Sequence, residues 1–148
     1  MANHSGYDMS KANKVFVVEK IAISPALEDY LRVILELQVA AEPIRVTDLA
    51  QRLRVAKSSV NQAVARLVDM DLLMHERYGP LELTEGGLAK AKEIRARHQN
   101  LRQFFSDILA VESRIAEQDA CNIEHYISPI TMEKLVDYLN GLLNPDRP

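Results

Sequence analysis

"TDLAQRLRVAKSSVNQAVARL", residues 47–67, carries two short helical patterns in close succession. Thr47 reads as the cap of a short helix over "DLAQRL", and "RVA" follows as a brief connector. A second helix starts within "KSSVNQAVARLVDMDLL", with Ser58 or Ser59 as its cap and Val60, Val64, Leu67 and Val68 as its buried stripe. Two short helices joined so tightly form the helix-turn-helix pattern.

Working outward, "LLMHERYGPLELT" places Leu72, Leu73 and Met74 before a Gly79-Pro80 turn, then Leu81 and Leu83 alternating with Glu82. That spacing predicts a short β-hairpin, and a hairpin directly after a helix-turn-helix is a wing. Upstream, Ser24-Pro25 caps a helix along Leu27, Tyr30, Leu31, Ile34, Leu35 and Leu37 that runs to about Ala41. Downstream, Thr84 caps a long, broken helix through "LAKAKEIRARHQNLRQFFSDIL", and residues 112–126 and 129–143 read as two more helices, Ser128-Pro129 opening the last. The expected fold is mainly α with a small β-hairpin wing. A winged helix-turn-helix (24–90) is followed by a helical module (91–148), after an N-terminal extension (1–23).

Composition bounds the function. Hydrophobic content of 47% over 148 residues suits one globular unit or two small ones sharing a core. A single cysteine allows no disulfide within the chain and suits a reducing cytoplasm. "VFVV" near the start is too short for a signal peptide or a membrane span, so no membrane partner is expected. The net charge of −3 conceals an asymmetry. Residues 45–77 carry six basic and four acidic side chains, whereas residues 109–148 carry seven acidic and three basic ones. No glycine-rich phosphate loop stands out, and no small organic substrate is expected.

Lys57, Ser58, Ser59, Asn61 and Gln62 open the second helix, where a recognition helix presents side chains to base edges. Asn and Gln can pair with adenine through two hydrogen bonds, and serine hydroxyls suit phosphate or base. Arg52, Arg54, Lys57 and the wing residues His75 and Arg77 suit phosphates. The partner expected is double-stranded operator DNA. The stripe Ile130, Leu135, Leu139 and Leu142, with Tyr138, is more apolar than a lone surface helix needs, which points to a homodimer.

"CNIEHYIS", residues 121–128, raises a second question. On a helix Cys121, Glu124 and His125 share a face and offer sulfur, carboxylate and imidazole. By itself the pattern suits a metal site or an ordinary amphipathic helix. A metal site needs further ligands, and His98 and Asp29 are available, although spacing cannot bring them together.

"EDYLRVILEL", "VAKSSVNQAVARL", "YGPLELTEGG", "RHQNLRQFF" and "CNIEHYIS" occur in the order and spacing of the diphtheria-toxin-repressor family, and over residues 24–140 the chain most resembles its short manganese-transport branch. That resemblance implies Asp29, His98, Cys121, Glu124 and His125 as metal ligands, with Glu117 ancillary. It also implies departures. Asp29 is the manganese-type choice where iron-type members use methionine, and Cys121 the iron-type choice where manganese-type members use glutamate. Arg32 and Arg102 stand where relatives carry carboxylates, and a cation there disfavours a second bound ion. The function implied is a homodimeric, metal-activated repressor of metal-homeostasis genes, responding to Mn²⁺ first and Fe²⁺ next, with Zn²⁺ or Co²⁺ also able to bind. Two rivals remain at this level: a metal-independent winged-helix regulator sensing oxidants through Cys121, and a small metal-dependent hydrolase.

Overall fold

The computed structural model describes residues 23–40, 43–143 and 146; the expected extension at 1–23 lies almost wholly outside them. Helix α1 spans Pro25–Val39, α2 Val46–Leu53 and α3 Lys57–Asp69. Strands β1 (Leu73–His75) and β2 (Leu81–Leu83) follow, then α4 (Glu85–Gln103), a π-helical turn (Phe104–Ile108), α5 (Ser113–Ile123) and α6 (Pro129–Leu143).

The local signals at α1, α4 and α6 act as the sequence indicates. Ser24 Oγ accepts from Leu27 N–H, Thr84 Oγ1 from Gly87 N–H and Ser128 Oγ from Thr131 N–H. These side chains satisfy helix-start donors that would otherwise lack partners. Two caps differ. Helix α2 begins at Val46 with Arg45 preceding it, so Thr47 lies inside the first turn, and Asp48 is the residue that reaches back to Arg45 N–H at 2.8 Å. Helix α3 begins at Lys57 after Ala56, so Ser58 and Ser59 lie in its first turn, exposed. Serine is tolerated there because first-turn N–H groups have no intrahelical partner to lose. Helix α1 ends at Val39, slightly short of Ala41.

The α2–α3 connection uses Arg54 in the left-handed region at φ 56°, closing α2 without glycine. The hairpin pairs Leu73 with Leu83 and His75 with Leu81. Ile44 adds a bridge to Leu81, whose N–H reaches Ile44 O at 2.8 Å, so the sheet extends back to the residues before α2.

Two apolar cores result. The first gathers Leu31, Ile34, Leu49, Val60, Leu67, Leu73, Ala91 and Ile94; the second centres on Leu101, Ala120 and Met132. Helix α4 serves both, running unbroken through residues 90 and 91. Beyond Gln103 the helix loosens into the π-helical turn, where Leu109 N–H bonds to Phe104 O, five residues back.

Candidate metal centre and nucleic-acid interface

His98 lies on the buried face of α4, between Ile94 of the first core and Leu101 of the second. At this seam α1 and α5 supply acids. The His98 Nδ1–H donates to Glu124 Oε2 at 2.7 Å, and Nε2–H to Glu117 Oε1 at 2.8 Å. Cys121 Sγ lies 3.9 Å from the same Nδ1. From the other side, His125 Nε2–H donates to Asp29 Oδ1 at 2.9 Å and lies 3.5 Å from Glu124 Oε1. Donor atoms of His98, Glu117 and Cys121 converge within 4.8 Å of one another, and so do those of Asp29, Glu124 and His125.

Glu124 joins the two triads. Its residue is fully buried, one oxygen faces His98, and the other has no hydrogen-bond partner among the described residues. Arg32 Nε stands 3.6 Å from that second oxygen, and the guanidinium also pairs with Glu36 at 2.9 Å. Burial opposes the Arg32 charge, but Glu36 and Glu124 outweigh it and raise its pKa. The tethered cation thus occupies one flank of the carboxylate.

Both histidines are held protonated. The Cys121 sulfur and Glu124, the latter much the closer, raise His98 to about 10 against the opposing effect of burial. Burial pushes His125 down, but Asp29 and Glu28 more than compensate and leave it at about 9. A divalent cation binding these nitrogens must displace those protons, so affinity rises with pH. The residues fit such an ion. Oxygen, nitrogen and sulfur donors converge on a buried, partly unpaired carboxylate, which is the mixed hard and borderline set that divalent first-row metals take.

The sequence did not single out Glu28, although it lies in the buried arc of α1 with Leu27, Leu31 and Leu35. Its carboxylate bonds to Arg97, whose other nitrogen donates to Glu124 O at 2.9 Å. A charged residue inside an apolar stripe was the available signal.

On the DNA module, Lys57, Ser58, Ser59, Asn61 and Gln62 are exposed at the start of α3, while Val60, Ala63, Val64 and Leu67 face inward and Val68, expected in the buried stripe, is exposed. Arg52 is exposed and pairs with Glu36 at 3.3 Å. Arg54 and Arg77 are exposed, and the Arg77 guanidinium lies over the Tyr78 ring, 5.6 Å from its centroid. No described helix is long and apolar enough to cross a membrane.

Comparison with known proteins agrees with this layout. Residues 22–81 match the "Iron dependent repressor, N-terminal DNA binding domain" and residues 84–145 the "Iron dependent repressor, metal binding and dimerisation domain". The HTH-type transcriptional regulator MntR of Shouchella clausii is 36% identical over 114 residues, covering 77% of this chain and 79% of that protein. The solved manganese regulator SloR superposes with a TM-score of 0.70 at 27% identity, over 77% of this chain and 53% of its own. A manganese-dependent transcriptional repressor in complex with manganese gives 0.72 at 26% identity, over 77% and 52%. The chain therefore spans about half the length of these solved regulators. DNA-binding module, metal-binding and dimerisation module and sequence identity agree: the chain belongs to the iron-dependent repressor family, the DtxR/MntR group of metal-dependent transcriptional regulators, which are not enzymes.

Proposed function

We propose that this chain is a homodimeric repressor whose operator binding is promoted by a divalent cation held at the seam, Mn²⁺ first and Fe²⁺ next. The observation that carries the reading is Glu124, a fully buried carboxylate that forms one donor triad with Asp29 and His125 and bonds to His98 of the other at 2.7 Å. When bound, the ion supplies one positive centre that draws on all three helices. Asp29 brings α1 of the DNA module to that centre, His98 brings α4, and Cys121, Glu124 and His125 bring α5 and the residues just after it. Fixing α1 against the second module sets the distance between the two α3 helices of a dimer. Half-sites about 34 Å apart require one such distance. Of the expected stripe, Leu135 packs on the second core and Leu139 is buried, so a dimer face is supported by Ile130, Tyr138 and Leu142 together with Ile115 and Ile123, all exposed in the single chain.

At the DNA, Gln62→Ala should relax base preference and weaken specific binding by about 1–3 kcal/mol if its amide makes a two-pronged base contact. Arg54→Ala should weaken all sequences alike and flatten the log–log salt slope by about 0.9 per lost phosphate contact. Anisotropy titrations with matched and scrambled duplexes, metal saturating, check both. Parental binding by both variants would mean that α3 is not the reading helix.

Metal preference follows from donor hardness. Asp29 and Glu124 offer hard oxygens that suit Mn²⁺, the imidazoles are borderline, and a Cys121 thiolate favours Fe²⁺, Co²⁺ or Zn²⁺. Raw affinity ranks Mn²⁺ lowest of these, so preference must come from geometry and supply. Cys121→Glu should move activation towards Mn²⁺, and Asp29→Met towards Fe²⁺. Anaerobic titrations of each metal against operator binding test this. An unchanged Mn²⁺-to-Fe²⁺ ratio in Cys121→Glu would remove the thiolate from the ligand set.

A further inference from the structure

We propose that Glu28 is a positioning residue for the metal centre: it holds the Nδ1 side of the His125 ring, so that Nε2 faces the space between Asp29 and Glu124. The inference rests on the metal-centre reading above. Glu28 is 8% exposed and sits in the apolar arc of α1, where an unpaired carboxylate would be costly. Arg97 pairs with it and also donates to the backbone carbonyl of Glu124 at 2.9 Å, so one guanidinium fixes the Glu28 carboxylate relative to α4 and α5.

The His125 ring is the group left to orient. Its Nδ1 is buried and has no hydrogen-bond partner among the described residues, with Glu28 Oε1 at 3.9 Å. Its Nε2 lies 2.9 Å from Asp29 Oδ1. A displacement of about 1 Å brings Nδ1–H and Glu28 Oε1 to hydrogen-bond distance. A carboxylate on the far nitrogen of a ligating imidazole fixes the ring and raises the basicity of the metal-facing nitrogen. Glu28 therefore acts through His125 without being a ligand.

The test uses the full chain without DNA. Mn²⁺ and Zn²⁺ affinities are measured by competition with a fluorescent chelator for the parent, Glu28→Gln and Glu28→Asp. Glu28→Gln should bind both ions about 10–100-fold more weakly, with partial recovery in Glu28→Asp. With ¹⁵N-histidine and Zn²⁺, the parent should show His125 carrying a protected proton on Nδ1, and Glu28→Gln should lose that protection. Parental affinity and an unchanged Nδ1 signal in Glu28→Gln would overturn the inference while leaving the metal centre intact. If Glu28→Gln fails to fold, the parent spectrum decides: zinc on Nδ1, or no protected Nδ1 proton, overturns it. A parent that binds neither ion overturns the metal-centre reading and this inference together.

Discussion

Glu124→Ala should destabilise the metal-free chain by about 3–5 kcal/mol and abolish metal-activated operator binding. The cost follows from what the substitution leaves behind. His98 Nδ1 loses an acceptor at 2.7 Å, and Arg32 Nε and His125 Nε2 lose a carboxylate at 3.6 Å and 3.5 Å. Removing one partner from a buried charge network leaves the others desolvated and unmatched, which ordinarily costs about that much. Chemical denaturation of the metal-free protein measures the first effect. Repeating it with saturating Mn²⁺ tests the loss of metal binding on which the second depends, since a ligand at 100 times its Kd adds about 2.7 kcal/mol to a native state that binds it. The parent should gain that increment and the variant should not. A variant within about 1 kcal/mol of the parent, still stabilised by Mn²⁺, would place the network outside the metal centre.

Gly87→Ala should cost about 3 kcal/mol, the upper end of what overpacking ordinarily does. An added Cβ would lie 1.8 Å from Leu72 O and 2.8 Å from Leu72 C, both backbone atoms that cannot rotate aside. This contact locks the first turn of α4 onto the residues entering the wing, reinforced by Thr84 N–H to Leu72 O and the Thr84 hydroxyl to Asp71 O. In the proposed mechanism rigidity there matters, because α4 carries His98 towards one end and abuts the DNA module at the other. The neighbouring Gly86→Ala is the control. Its Cβ would come no closer than 3.9 Å to its surroundings, so it should be neutral or stabilise by about 0.4–1 kcal/mol. Equal unfolding midpoints for the two variants would contradict the close packing of α4 on Leu72.

The three helix starts with Ser24, Thr84 and Ser128 were legible because each is fixed within four residues. Around α2 and α3 the same logic misled. Thr47, Asp48, Ser58 and Ser59 offer competing starts, and burial of Leu49 and Val60 in the first core selects among them. The Ile44–Leu81 bridge pairs a residue outside any regular repeat, so periodicity could not reveal it. The cluster Cys121, Glu124 and His125 was visible as one helical face, although α5 ends at Ile123 and the last two occupy the turn beyond it. The approach of Asp29 to His125 spans 96 positions and is decided by the packing of α1 across α4, which no local spacing encodes. Resemblance supplied that pairing but not Glu28, whose role emerges only once Arg97 and His125 are seen around it.

If the seam couples metal and operator binding, operator affinity with and without saturating Mn²⁺, and Mn²⁺ affinity with and without operator, must change together. The duplex is one selected from a random pool by the Mn²⁺-loaded chain. Coupling requires the two ratios to be equal, because each ligand must change the other's affinity by the same factor. At least a tenfold gain is expected on both sides, about 1.4 kcal/mol of coupling. Mn²⁺ that binds stoichiometrically yet leaves operator affinity unchanged would contradict it.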